Sequence, residues 1–106
     1  MRITFTQSGG FVGAVRSCAV DTATLADADR REVEALVAAS GLVVPLELFS
    51  AGGRDRRQYE ITIEKGSAPL RIACDDASLP AAARPLVAFL SARARPVPSD
   101  PGADAP

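Results

Sequence analysis

Gln58-Tyr59-Glu60-Ile61-Thr62-Ile63-Glu64, the turn Lys65-Gly66-Ser67 and the return Leu70-Arg71-Ile72-Ala73-Cys74 decide the fold. In the first run Tyr59, Ile61 and Ile63 alternate with Glu60, Thr62 and Glu64, the period-2 pattern of a strand with one buried face. Leu70, Ile72 and Cys74 repeat the pattern on the way back, and the Gly-containing turn between them makes a β-hairpin. A single hairpin is not stable alone in water, so its apolar face needs further strands and helices.

Working outward toward the N-terminus, Ile3 and Phe5 alternate with Arg2, Thr4 and Thr6. Ser8-Gly9-Gly10 signals a turn, and Phe11 to Val20 resumes β character, which predicts a second hairpin around a Gly-rich loop. Thr22 to Asp29 is a polar connection into a helix. Asp29-Arg30-Arg31-Glu32 has capping-box spacing, Val33, Leu36 and Val37 form one stripe, Ser40 closes that stripe, and Gly41 is a natural stop. Leu42 to Arg57 reads as irregular: Leu42, Val44, Leu46, Leu48 and Phe49 carry enough apolar weight to pack on the core, while Ser50 to Arg57 reads as exposed and mobile. After Cys74, Asp75-Asp76-Ala77-Ser78 ends the strand. Pro80 suits a first helical turn, Pro85 marks a kink or the true helix start, and Leu86, Phe89 and Leu90 supply the buried stripe.

The resulting order, ββαββα, predicts an α+β domain over residues 1–95: a four-stranded antiparallel sheet with both helices on one face. Residues 96–106 are nearly all Pro, Ala, Asp, Ser and Gly and read as a disordered tail. The 106 residues suffice for one domain, and 47% hydrophobic content is that of a globular chain. No apolar stretch approaches the roughly 20 residues of a membrane span, and the opening Met1-Arg2-Ile3-Thr4-Phe5 does not read as a secretory signal. A cytoplasmic monomer is the expectation.

Twelve basic and thirteen acidic residues leave a net charge of −1, without the basic footprint of a nucleic-acid binder. The clusters Arg30-Arg31 and Arg54, Arg56, Arg57 read as solvated surfaces. The chain has no His, which removes Ser-His-Asp, Cys-His and His-based zinc constellations together. Cys18 and Cys74 read as reduced, buried strand residues, bridged only if their strands are neighbours. Gly9-Gly10-Phe11-Val12-Gly13 lacks the Lys-Ser/Thr of a phosphate loop and sits between antiparallel strands. Asp75-Asp76 is the only adjacent acidic pair. It reads either as a strand exit and helix cap or as a pair of projecting carboxylates. No catalytic residue, cofactor or metal site of the chain's own is expected. Phe11 and Val12, set among Gly9, Gly10 and Gly13, either tuck back onto the sheet or present an apolar anchor to a partner.

Taken in order, the opening strand with Ser8-Gly9-Gly10-Phe11-Val12-Gly13, Val20-Asp21, the Arg-rich helix, Asp55 and Tyr59-Glu60-Ile61-Thr62-Ile63 resemble the emfourin-like proteins. So do Cys74-Asp75-Asp76, Leu79-Pro80 and Arg84-Pro85-Leu86, and the likeness covers roughly residues 2–95. That family inhibits protealysin-like metalloproteases of the thermolysin family, so the resemblance implies a reversible, non-enzymatic inhibitor with a thermolysin-like metalloprotease as partner. It supplies no motif that identifies the inhibitory residues. A thermolysin-type zinc keeps one position for water or substrate, which a carboxylate can take while an apolar side chain fills the adjacent pocket. The candidates are Asp75 or Asp76 for the zinc, Asp55 as second choice, and Gly10, Phe11 and Val12 for the pocket. Hairpin geometry sets Asp55 near Asp75 and Asp76, whereas the end at which the Phe11 loop lies depends on strand order. Two other classes share the same features: an interaction, immunity or regulatory protein with a different target, and an enzyme whose carboxylates work with a cofactor.

Overall fold

The computed structural model describes residues 1–9, 15–49, 57–66 and 68–97. Its strands are β1 (Arg2–Gly9), β2 (Arg16–Asp21), β3 (Leu46–Leu48), β4 (Arg57–Glu64), β5 (Leu70–Asp75) and β6 (Arg95–Pro96), and its helices are α1 (Asp27–Ser40) and α2 (Arg84–Arg93). They form one six-stranded sheet in the order β3-β5-β4-β1-β2-β6.

The two expected hairpins are its centre. β1 pairs antiparallel with β2 on one side and with β4 on the other, from Arg2↔Glu64 to Gly9↔Arg57, and β4 pairs antiparallel with β5. The sheet is nevertheless mixed and wider than the four antiparallel strands expected. β3 adds parallel to β5 through Leu46↔Ile72 to Leu48↔Cys74, and β6 adds antiparallel to β2 through Arg16↔Pro96 and Ser17↔Arg95. Strands of three and two residues are too short to show a period. Pro96 is tolerated because β6 is an edge, where a missing N–H breaks no ladder. Pro96, expected at the head of the tail, is therefore part of the sheet, and residues 98–106 lie outside the described residues.

One face of the sheet is apolar and carries both helices. Ile3, Phe5, Val20, Ile61, Ile63, Ile72 and Cys74 share a core with Val33 and Val37 of α1 and with Leu86, Val87 and Leu90 of α2. Phe5 and Tyr59, cross-strand neighbours on β1 and β4, stack with ring centroids 6.0 Å apart. On the opposite face Thr4, Ala19, Glu60 and Arg71 are exposed, with an Arg71–Glu60 ion pair at 2.7 Å. The strand parities read from sequence hold on β1, β4 and β5, where Ile3, Phe5, Tyr59, Ile61, Ile63, Ile72 and Cys74 are buried.

The helix ends differ in part from expectation. α1 starts at Asp27 with Ala26 as its cap, and no side chain closes that end. Asp29 and Glu32 therefore form no capping box. Asp29 is already helical, and it and Asp27 instead place negative charge on the positive end of the helix dipole, while Asp27 pairs with Arg30 at 3.1 Å. Gly41 does end the helix, at φ 72°, a left-handed conformation that costs glycine little. Buried Ser40 assists: its hydroxyl donates to Val37 O at 2.6 Å and accepts from Leu42 N at 3.2 Å. A 3-10 turn at Ala81–Ala83 precedes α2, and Pro85 lies in the first turn of α2, marking its start instead of a kink.

Candidate functional site

Strand register brings one end of the sheet together. Gly9 ends β1 opposite Arg57 at the start of β4, Gln58 faces Asp75 at the end of β5, and Leu48 at the end of β3 pairs with Cys74. Arg16 opens β2 near Gln7, with Pro96 beside it. The residues bracketing 10–14 and those bracketing 50–56 thus lie at the same end as Asp75 and Asp76. Gly10, Phe11, Val12 and Asp55 themselves lie outside the described residues. The expectation that Ser50 to Arg57 is exposed and mobile also falls there, apart from Arg57, which is exposed and opens β4.

The two adjacent aspartates are in different situations. Asp75, the last residue of β5, is wholly buried. Its carboxylate Oδ1 accepts from Ser78 N at 2.8 Å and its carbonyl from the same amide at 3.2 Å, so it ties the turn that follows. Asp76 is on that turn, with a side chain 51% exposed. Its amide donates to Arg57 O at 2.8 Å, which pins the turn to the start of β4. Its Oδ1 accepts from the Tyr59 hydroxyl at 3.0 Å and lies 3.8 Å from Arg84 Nη1, while Arg84 Nη2 donates to Asp76 O at 3.0 Å. One carboxylate oxygen is therefore held against the domain by a phenol and a guanidinium, on a turn at the sheet's end.

The titratable groups around it follow from burial and charge. Burial pushes the Tyr59 hydroxyl above its ordinary value, and the hydrogen bond to Asp76 and the charge of Asp76 add to it, against Arg57. Burial raises the Cys74 thiol, as do the carboxylates of Asp75 and Asp76, against Arg84. Burial raises Cys18 too, against Arg93, and its Sγ donates to Leu90 O at 3.4 Å. Neither thiol is thereby poised as a thiolate nucleophile. Both are free, and β4 and β1 separate their strands. Among the described residues no group of three or more His, Cys, Asp or Glu could hold a metal ion, and no helix is long and apolar enough to cross a membrane.

Sequence reasoning missed an apolar fringe at this same end. Leu48 and Phe49 were expected to pack on the core, yet they are 39% and 48% exposed, as are Val15 and Val97 at 39% and 44%. Phe49 lines a small cavity of about 80 Å³ with Thr6, Ser8, Gln58 and Glu60 on the face away from the helices. The signal that identifies these residues is their position at strand ends, which needs the register. Among the described residues the other exposed large apolar side chains are Val43 and Val44, which precede β3 at the opposite end; Val44, expected to pack on the core, is 55% exposed.

The sheet end backed by two helices thus carries an exposed carboxylate, Asp76, and exposed apolar side chains at Val15, Leu48, Phe49 and Val97 in a small α+β domain. The Emfourin family model matches residues 5–91, and the chain belongs to that family. Emfourins are protein inhibitors, so membership gives the chain a protease-inhibitor role and a protease partner in general terms. No curated protein and no solved structure matches the chain.

Proposed function

We propose that the chain is a reversible inhibitor of a thermolysin-like, protealysin-like zinc metalloprotease, acting as a cytoplasmic monomer through the sheet end that carries Asp76. The observation that supports this reading most is the convergence there of a held, exposed carboxylate with the residues that bracket 10–14 and 50–56. A thermolysin-type zinc has three protein ligands and one open position. Asp76 is the carboxylate directed at that position, because one of its oxygens is engaged by Tyr59 and the side chain is solvent-facing. Asp75 serves it from below by fixing the turn, and Asp55 is the second choice. Phe11 and Val12, beside Gly10, fill the neighbouring substrate pocket, with the Leu48–Phe49 fringe extending the contact.

Blocking by contact requires no chemistry from the inhibitor. It requires that apolar burial and a metal-directed charge exceed the cost of ordering, and a pinned sheet end lowers that cost. The test is a titration of the purified chain against a panel of thermolysin-like proteases with a peptide substrate. Activity falls to zero at one equivalent, returns on dilution, and leaves the inhibitor uncut. Full activity across the panel at excess inhibitor overturns the reading.

A further inference from the structure

We infer that Tyr59 and Arg84 are positioning residues that make Asp76 a one-oxygen ligand, with Oδ2 as its contact atom. The inference rests on the inhibitory reading above and deepens it, since it concerns how the chain presents that carboxylate. Asp76 is fixed at each of its other polar atoms. Its amide donates to Arg57 O at 2.8 Å, its carbonyl accepts from Arg84 Nη2 at 3.0 Å, and its Oδ1 accepts from the Tyr59 hydroxyl at 3.0 Å. Arg84 Nη1 stands 3.8 Å from the same Oδ1. Oδ2 alone has no partner among the described residues.

Each support carries its polar end to a place that packing does not require. Tyr59 is buried and its ring stacks on Phe5. A buried tyrosine needs a partner for its hydroxyl, and this one finds it in a half-exposed carboxylate at the sheet's end, not in the core. Arg84 opens α2. The free amides of a first helical turn favour negative charge, yet that turn of α2 has no acidic residue and begins with a cation. The Arg84 guanidinium turns back to Asp76 and spans its carbonyl and its carboxylate. An exposed aspartate ordinarily samples several rotamers, and losing that freedom on binding costs affinity. Tyr59 and Arg84 have already removed it, and by occupying Oδ1 they leave Oδ2 to meet a cation as a single-oxygen ligand.

The experiment is a double-mutant cycle, read as the inhibition constant against a thermolysin-like protease and corrected for the folded fraction. Tyr59→Phe keeps the ring on Phe5 and removes the hydroxyl, while Arg84→Gln removes the guanidinium from a half-exposed side chain. Each is made in the unaltered chain and in Asp76→Asn. In the free protein, the Hα–Hβ couplings of Asp76 report how many rotamers it samples. The expected result is one rotamer in the unaltered chain and averaged couplings in both variants. Each variant inhibits about twofold to tenfold more weakly, the cost of immobilising one side chain. In the Asp76→Asn background neither substitution weakens inhibition further, a pattern that a merely structural role does not produce. Variants that inhibit as tightly as the unaltered chain, or that lose the same factor in the Asp76→Asn background, overturn the positioning role. So does an Asp76→Asn chain that inhibits normally, and all three results leave the inhibitory reading in place. An unaltered chain that inhibits no protease of the panel overturns both.

Discussion

Replacing Asp75 by alanine and, separately, Asp76 by asparagine tests the proposal that the first carboxylate builds the domain and the second meets the partner. Asp75→Ala removes a charge-assisted hydrogen bond from a wholly buried site. Such a bond contributes about 1.5–3 kcal/mol, and the Ser78 amide keeps only its longer bond to the Asp75 carbonyl. In a domain of this size a loss of about 2–3 kcal/mol lowers the melting temperature by roughly 10–20 °C. Asp76→Asn is different. The asparagine carbonyl still accepts from the Tyr59 hydroxyl, and an exposed substitution of this kind changes stability by about 0.5 kcal/mol or less. What it removes is the charge available to a metal. Losing an interface anchor of that type costs on the order of 2–4 kcal/mol, roughly a thirtyfold to thousandfold loss of affinity. Thermal melts followed by circular dichroism and titrations of a thermolysin-like protease, corrected for the folded fraction, give both numbers. An Asp76→Asn chain that inhibits as tightly as the unaltered protein refutes the zinc-directed role. An Asp75→Ala chain that melts normally but no longer inhibits would exchange the two assignments.

Leu48→Ser and Phe49→Ser, at exposed positions, are expected to lower stability by less than about 1 kcal/mol while weakening inhibition about tenfold; unchanged inhibition removes the end of β3 from the contact surface. Gly41→Ala is expected to destabilise by about 1 kcal/mol in urea unfolding. An added Cβ there meets nothing within 4 Å, so the cost is the left-handed φ of 72° and not a clash. Alkaline pH is expected to destabilise the domain. Tyr59, Cys18 and Cys74 all have folded-state values raised above the ordinary 10.0 and 9.0, chiefly by burial. The unfolded chain therefore releases these protons first, and the stability present below about pH 9 falls as pH rises toward and through the folded values. Tyr59→Phe flattens that limb, and a melting temperature that is level from pH 8 to 11 contradicts the account.

The central sheet was legible because its period is tied to burial. Ile3 and Phe5, Tyr59, Ile61 and Ile63, and Ile72 and Cys74 face the core as alternation predicts, since a strand covered on one side leaves no other parity open. The stop at Gly41 was legible for a similar reason, because few residues accept a left-handed φ. The start of α1 was not. Asp27 and Asp29 both suit a first turn, and the capping-box pattern at Asp29 competed with a charge pattern two residues earlier. β3 and β6 escaped because a strand of two or three residues is defined by its neighbour, Cys74 or Arg16, and not by its own composition.

The candidate site was harder to read, for a physical reason that Asp75 and Phe49 illustrate. Alternation along a strand records which side chains the chain buries against itself, and it stops being informative where the strand stops. Asp75 and Asp76 are adjacent and chemically identical, yet one is buried beneath a turn and the other projects from it. The difference comes from the Ser78 amide and the Arg57 carbonyl, and from a register that composition does not encode. Leu48 and Phe49 present the converse case. Their hydrophobicity was read as core weight, because within a single chain an apolar residue has only its own core to join. A residue that meets a partner carries the same signal and differs only in where the sheet ends. Leu42 is buried while Phe49, seven residues later, is half exposed, and nothing in their side-chain chemistry orders them that way. Apolar surface left in water at a pinned sheet end is recovered at roughly 25 cal/mol per Å² only when another surface covers it. Strand ends, read through register, are therefore where the inhibitory surface proposed above is to be tested, because there the apolar side chains of Leu48 and Phe49 lie outside the chain's own core.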